Sequence, residues 1–271
     1  MDQRPIGVFD SGLGGLTAVR ELERRMPYEH LIYFGDTGRV PYGGRSPETI
    51  IRYARQDVAF LRTFDLKAIV IACGTVSATA LKVLRQEQDI PVYGVVQPAA
   101  ARAVEFTRSG RIGLIATRAT IRTGAYERAI ARMDPTVEVF PQACPLFVPL
   151  VENGRTRPGD VVIEKVAEEY LAGLVEDRVD TLVLGCTHYP LLREVIRGVM
   201  GPQVRLVDSG AAVADLVCEN LKHRDCAADP AQRGSRRWYV SDTTEGFAEL
   251  ASRFLGEPVT EPVERVSIED Y

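Results

Sequence analysis

The sequence predicts an α/β fold in which mostly parallel sheets are flanked by helices. Eight short, continuous apolar runs recur along the chain, separated by stretches with helical periodicity. A continuous apolar run, in contrast to an alternating one, is typical of a strand buried on both faces of a parallel sheet. The predicted strands are residues 6–9, 31–34, 68–72, 92–96, 112–115, 137–140, 181–184 and 204–207.

Helix start signals support the same fold class. Ser46 followed by Pro47 is a typical N-cap with proline at the first helical position, and the apolar residues that follow recur on one helix face. Asp160 can cap a second helix with the same period. Beyond residue 208 we expect helices at 211–221 and 245–254, with a short apolar segment at 238–240 between them.

An internal duplication predicts two halves. Two of the predicted strands end in a cysteine that is followed by hydroxyl or histidine residues, Cys73 in one half and Cys186 in the other. Residues 6–11 match residues 112–117 in the same way, at a similar offset. We predict two pseudo-symmetric α/β domains, formed by residues 1–97 with 209–271 and by residues 98–208, which face each other across a cleft.

Composition excludes several classes of function. The chain has 271 residues, of which 45% are hydrophobic and 26% are charged, and its net charge of −4 predicts no binding to nucleic acid or to an anionic membrane. No targeting segment and no apolar run of about 18 residues is present, so we expect a cytoplasmic location. Five widely spaced cysteines without a C-x-x-C pair indicate reduced thiols.

The two strand-end cysteines are candidate acid–base groups. A thiol just past a strand can lie at the N-terminus of the next helix, whose dipole favours the thiolate, and His188 follows Cys186 by two residues. The neighbouring strand could bring Asp10 beside Cys73. Two thiols that enter one cleft from opposite sides suit a reaction that removes a proton from one face of a carbon and returns it to the other. Ser11, Thr75 and Thr187 could donate hydrogen bonds to a carboxylate.

Three alternatives compete with this interpretation. Strand-end cysteines are often buried only as small apolar residues. A glycine pattern that includes Gly12 and Gly14 follows the first predicted strand and precedes a helix, with Asp36 after the next strand, which resembles a dinucleotide-binding fingerprint; Thr17 stands where its third glycine would be. Cys73, Cys186 and His188 are also zinc-ligand types, although no fourth ligand is evident.

Seven motifs, spread over nearly the whole chain, carry a family resemblance: GVFDSGLGGLT at 7–17, YFGDTGRVPYGGRS at 33–46, IACGTVSA at 71–78, IGLIATRATIRTGAY at 112–126, CPLFVPLVENG at 144–154, LVLGCTHYPLL at 182–192 and VDSG at 207–210. Taken together, they resemble the glutamate racemases, which supply D-glutamate for bacterial peptidoglycan. The resemblance implies two α/β domains with the active site between them, and two-base racemisation of glutamate by Cys73 and Cys186 without a cofactor or a metal. It therefore implies a small-molecule substrate, and we also expect a homodimer.

The resemblance also assigns roles to individual residues. Asp10 matches the helper of the first cysteine, and His188, supported by Glu152, matches the helper of the second. The residues at substrate-contact positions are Asp10, Ser11, Tyr42, Gly43, Gly74, Thr75, Thr120, Thr187 and His188.

The chain departs from the family pattern at two positions. The family usually reads C-N-T-A where this chain has Cys73-Gly74-Thr75-Val76, and Gly38 replaces the alanine of G-D-T-A-R. Since Gly74 offers only a backbone N–H, we expect that restoring asparagine lowers the KM for glutamate or is neutral. The change leaves open a racemase of another acidic amino acid such as aspartate.

A protein-binding role is the remaining alternative. Some members of the family are reported to inhibit DNA gyrase, a property associated with an N-terminal extension. Only five residues precede the first predicted strand here, so we expect racemisation rather than gyrase binding.

Overall fold

The computed structural model describes residues 1–271 and contains two sheets whose strand pairs are all parallel, with helices packed around them. This confirms the predicted α/β class. In chain order the strands are β1 Ile6–Asp10, β2 Leu31–Gly35, β3 Ala68–Ile71, β4 Val92–Gly94, β5 Arg111–Ala116, β6 Glu138–Ala143, β7 Thr181–Leu184, β8 Arg205–Asp208, β9 Arg236–Val240 and β10 Val263–Arg265.

The helices connect these strands. They are α1 Leu16–Arg25, α2 Pro47–Leu61, α3 Gly74–Glu87, α4 Val96–Phe106, α5 Arg118–Thr123, α6 Ala125–Met133, α7 Phe147–Glu152, α8 Val161–Glu176, α9 Arg193–Met200, α10 Ser209–His223 and α11 Phe247–Leu255. Single 3₁₀ turns lie at Tyr42–Gly44, Tyr189–Leu192 and Ile268–Asp270. No helix is long and apolar enough to cross a membrane.

Sheet topology explains how the site is assembled. The six-stranded sheet has the order β10-β9-β2-β1-β3-β4 and the four-stranded sheet the order β6-β5-β7-β8. Cys73 follows β3, which pairs with β1, and Cys186 follows β7, which pairs with β5. Each cysteine therefore leaves the carboxyl end of a central strand, where open α/β sheets place their ligands.

Two strand predictions need correction. The run at 137–140 was predicted to be buried on both faces, but β6 is an edge strand and most of its side chains are half-buried or exposed. The run at 92–96 ends as a strand at Gly94, because α4 begins at Val96. Strand β10 has no apolar run and could not be found by that criterion.

The predicted helix caps are confirmed. The Ser46 hydroxyl accepts the Thr49 N–H at the start of α2, and the Asp160 carboxylate accepts the Val162 N–H at 3.0 Å at the start of α8. Asp208 accepts two backbone N–H groups and so caps α10. The carboxylate of Asp208 therefore has a structural role as the cap of α10 at the carboxyl end of β8.

The two sheets share part of their apolar core. The largest buried apolar cluster contains Ile6 of the first sheet, Leu182 of the second, and Val213 and Val217 of α10. The chain after Asp208 returns to the first sheet through β9 and β10. The division at residues 97 and 208 stays a prediction, since this shared core runs from one sheet to the other.

A buried ion pair ties the first sheet to the chain after α10. The Lys67 ammonium lies 2.5 Å from a Glu29 carboxylate oxygen and donates to the carbonyl oxygens of Asp2 and Cys226. Both side chains of the pair are at most 4% exposed. Removing one member leaves the other as an unpaired buried charge, which typically costs about 3–5 kcal/mol.

We therefore expect Lys67→Met to lower the free energy of unfolding by about 3–5 kcal/mol. Urea titration followed by far-UV circular dichroism measures this change. Lys165→Met is the matched control, because the Lys165–Glu168 pair is exposed and its loss should leave the denaturation midpoint unchanged. An unchanged midpoint in Lys67→Met would show that the buried pair contributes nothing.

Candidate active site

A cavity of about 450 Å³ lies between the carboxyl ends of the two sheets. Cys73 and Cys186 both line it, one from each sheet, and both are buried. A volume of this size is typical of a small-molecule site. The other predicted residues on its wall are Ser11, Tyr42, Gly43, Gly74, Thr75, Glu152, Thr187 and His188.

Cys73 is the N-cap of α3, so it lies at a helix N-terminus as predicted. Its thiol donates to the Ser11 hydroxyl at 3.4 Å. Burial and the nearby Asp10 carboxylate raise the pKa of Cys73 to about 12, against the opposing hydrogen bonds from Ser11 and the Val76 N–H. The predicted lowering of this pKa at the helix N-terminus is present in the Val76 N–H, but desolvation outweighs it and the net shift is upward.

Asp10 lies behind the cavity wall. It is 1% exposed; one carboxylate oxygen accepts the Gly12 N–H at 3.1 Å, and the other has no hydrogen-bond partner. Burial raises the pKa of Asp10, partly offset by the charge of His188 and by backbone N–H groups. The structure places Asp10 close enough to influence Cys73, and Asp10 is not among the residues that line the cavity.

Cys186 is the first member of a three-residue array. Its sulfur lies 3.9 Å from Nδ1 of His188, and Nε2 of the same ring lies 3.0 Å from Oε1 of Glu152. Burial lowers the pKa of His188, but hydrogen bonds and charge interactions with Cys186 and Glu152 outweigh it and raise the pKa to about 10. Phe254 packs edge-on against the imidazole at 5.2 Å between ring centroids, which fixes the ring plane.

Tyr42 lies on the cavity wall, and its hydroxyl is held in a buried hydrogen-bond network. Its hydroxyl donates to Asp36 and lies 3.3 Å from a carboxylate oxygen of Asp57, while Arg39 binds both carboxylates. The side chain therefore anchors the loop from below. The loop that carries Gly43 is what forms this part of the cavity wall.

Three threonine hydroxyls join the two halves beside the cavity. Thr75 lies 3.0 Å from Thr117 and 3.3 Å from Thr120, and Thr117 lies 3.1 Å from Thr120. Thr120 is buried behind the other two and is absent from the cavity wall. Such hydroxyls can rotate to donate to a carboxylate.

Two residues on the cavity wall, Thr117 and Arg118, are not among the predicted site residues. Thr117 occupies the position that matches Ser11 in the internal duplication, and that correspondence could have identified it. Arg118, the next residue, is exposed at the cavity wall and forms no ion pair. No pattern in the sequence distinguishes Arg118 from other surface arginines.

The geometry contradicts the dinucleotide alternative. A methyl group at Gly14 would lie 2.3 Å from the Thr187 hydroxyl and 2.5 Å from Nδ1 of His188. The Thr17 hydroxyl lies 2.9 Å from the Thr187 carbonyl oxygen. The second half thus covers the glycine loop and leaves no room for a pyrophosphate. For the zinc alternative, the structure contains no group of three His, Cys, Asp or Glu side chains placed to hold a metal.

The raised pKa of Cys73 predicts how this thiol reacts. Well below pH 12 the thiolate fraction grows tenfold per pH unit, so alkylation of Cys73 by iodoacetamide should rise about tenfold per unit from pH 7 to 10. Peptide mass spectrometry measures the rate. Asp10→Asn removes a repelling charge, lowers this pKa and should accelerate alkylation at pH 8. A rate that levels off below pH 9 would contradict the assignment.

Comparisons with known proteins agree with one another. The sequence model of the Asp/Glu/Hydantoin racemase family matches residues 15–217. A glutamate racemase of Geobacter metallireducens is 49% identical over 99% of this chain and 98% of its own length. A glutamate racemase structure from Bacillus anthracis superimposes with a TM-score of 0.92 at 37% identity, covering 98% of each chain. One from Francisella tularensis, in complex with D-glutamate, gives 0.91 at 36% identity and covers 100% of each chain.

Proposed function

This chain belongs to the Asp/Glu/Hydantoin racemase family and is an amino-acid racemase, and from that premise we propose that it interconverts L- and D-glutamate by proton transfer between two thiols and its substrate. The presence of Cys73 and Cys186 on the wall of one cavity, each at the end of a strand of a different sheet, is the observation that carries this proposal. D-Glutamate made in this way would serve peptidoglycan synthesis.

The charge of the cavity supports an acidic substrate. Glutamate has two carboxylates and one ammonium group, and so carries a net charge of −1. Glu152 is paired with His188, whereas Arg118 contributes an unpaired positive charge at the wall. The hydroxyls of Ser11, Thr75 and Thr117 add uncharged donors. The similarity of the chain to glutamate racemases supports the same substrate.

The reaction needs one thiolate and one thiol at the same time. The thiolate removes the α-proton from one face, the electron pair stays on Cα as a carbanion, and the opposite thiol donates its proton to the other face. The resemblance to the glutamate racemases implies that Cys73 is the base for D-glutamate and Cys186 the base for L-glutamate. The product is the mirror image of the substrate, and the two cysteines have exchanged protonation states.

Neighbouring groups support each thiol. The imidazolium of His188, held by Glu152, lies beside the Cys186 sulfur and can pass a proton to it. Asp10 can accept the proton of the Cys73 thiol, because burial raises the pKa of its carboxyl group and so makes its carboxylate a stronger base. Preorganised donors at the start of α3 and the threonine hydroxyls stabilise charge on the substrate carboxylate as the carbanion forms.

A circular-dichroism assay with each enantiomer of glutamate and aspartate, without added cofactor and in the presence of a chelator, tests this proposal. We expect both glutamate enantiomers to converge on zero ellipticity and aspartate to react far more slowly. Conversion of aspartate in preference to glutamate would assign the chain to the other acidic substrate. No conversion of any of the four would contradict racemisation of acidic amino acids.

A further inference from the structure

The two halves touch through backbone next to both cysteines. Gly74 directly follows Cys73, and Gly185 directly precedes Cys186. A Cβ atom added to Gly74 would lie 2.3 Å from the Gly185 carbonyl oxygen and 3.4 Å from its carbonyl carbon. Any side chain at position 74 therefore collides with the opposite half, one residue away from each candidate base.

Neither side of this contact can move by itself. Gly74 is the first residue of α3, whose N-cap is Cys73. The Gly185 N–H donates to the Ile115 carbonyl oxygen at 2.8 Å, which holds the residue against β5. The obstacle is backbone on a rigid strand end, not the flexible tip of a side chain. Relief of the collision requires the two segments to separate by about 1 Å, from 2.3 Å to an ordinary contact near 3.4 Å.

We propose that Gly74 is a positioning residue whose missing side chain sets how closely the two cysteine-bearing segments approach. This inference rests on the two-thiol reaction proposed above. A carbanion must be within reach of both sulfurs during one encounter, so a separation of about 1 Å weakens proton transfer to the distant thiol more than it weakens substrate binding. The asparagine that the family usually carries here does not fit this arrangement. The expectation from the sequence that Gly74→Asn lowers or preserves KM concerns substrate binding alone, whereas this contact predicts a loss of kcat in that variant.

The contact predicts a change in the course of the reaction as well as in its rate. When the segments are held apart, one thiol can still remove the α-proton and return a solvent-derived one to the same face. Exchange without inversion then increases relative to inversion. This ratio does not depend on how much of the protein is active, and a purely structural role for Gly74 would leave it unchanged.

The test compares Gly74→Ala and Gly74→Asn with the wild type in deuterated water. Circular dichroism follows inversion of glutamate, and proton NMR follows loss of the α-proton from each enantiomer. We expect kcat for inversion to fall at least about tenfold, KM to change much less, and the ratio of non-inverting exchange to inversion to rise. Gly173→Ala is the matched control, since that helical glycine has no atom within 4 Å of an added Cβ and should react as the wild type does.

The outcomes separate this inference from the proposed function. Because the collision strains the folded protein, Gly74→Ala should melt below the wild type but stay folded at the assay temperature, where the better helix propensity of alanine offsets part of the strain. An unfolded Gly74→Ala, an unchanged ratio, or a kcat of Gly74→Asn equal to that of the wild type would each overturn the role of Gly74. A wild type that does not invert glutamate would instead overturn the proposed function.

Discussion

Replacing either Cys73 or Cys186 by alanine should reduce racemisation of glutamate to less than about one-thousandth of the wild-type rate. Each thiol supplies general acid–base catalysis, whose loss typically costs about 10²–10⁴-fold, and each is needed in both directions, as base in one and as acid in the other. No other cysteine lines the cavity, so nothing can substitute for the missing group. The circular-dichroism assay with L- and D-glutamate measures the loss.

Cys218→Ala is the matched control for this prediction. Cys218 is half-buried on α10 and is not part of the cavity wall, so its removal should leave the rate unchanged. Melting curves of all three variants check that they fold. Wild-type rates in Cys73→Ala or Cys186→Ala would exclude a reaction that needs both thiols.

The second large effect concerns the groups behind each thiol. We expect His188→Asn to slow mainly the step in which Cys186 acts as base, and Asp10→Asn mainly the step in which Cys73 does, each by about 10²-fold. The equilibrium constant stays at one because the substrate and product are enantiomers, so changes in kcat in each direction must be matched by changes in KM. Single-direction kcat values and α-deuterium isotope effects separate the two steps.

The pKa of His188 adds a pH dependence to the same prediction. Its value of about 10 lies above the ordinary value of 6.5, so interactions of the imidazolium with Cys186 and Glu152 stabilise the fold fully below about pH 6.5 and are lost as the pH rises through 10. Denaturation midpoints of the wild type should therefore fall over this range more than those of His188→Asn. His223→Asn, an exposed histidine at the end of α10, should behave as the wild type. Equal pH slopes in all three proteins would contradict the ion-paired array.

Much of the fold was predictable because buried parallel strands leave continuous apolar runs. The strands that precede Cys73 and Cys186 were found in this way, whereas the order of the strands in each sheet is known only from the structure. Edge strands such as β6 and β10 were placed poorly or missed, since their exposed faces do not require apolar residues. A run of apolar residues indicates a buried strand, so strands with exposed side chains are not detected by this criterion.

Most of the residues that were predicted for the site line the cavity, but the sequence does not give the orientation of their side chains. The hydroxyl of Tyr42, for example, donates to Asp36 in a buried network that no sequence pattern predicts. Arg118 and the backbone contact of Gly74 with Gly185 depend on how the two halves approach each other. Such contacts between distant segments leave no local pattern, and only the assembled fold reveals them.

Early deuterium incorporation in deuterated water tests the two-thiol reaction most directly. L-Glutamate is incubated with the wild-type protein, and NMR and mass spectrometry determine the Cα label in each enantiomer after a few per cent conversion. If Cys186 removes the proton and Cys73 returns one from the other side, the D-glutamate formed should carry deuterium while the remaining L-glutamate stays almost unlabelled. Label that accumulates in L-glutamate as fast as D-glutamate forms would contradict two bases on opposite faces.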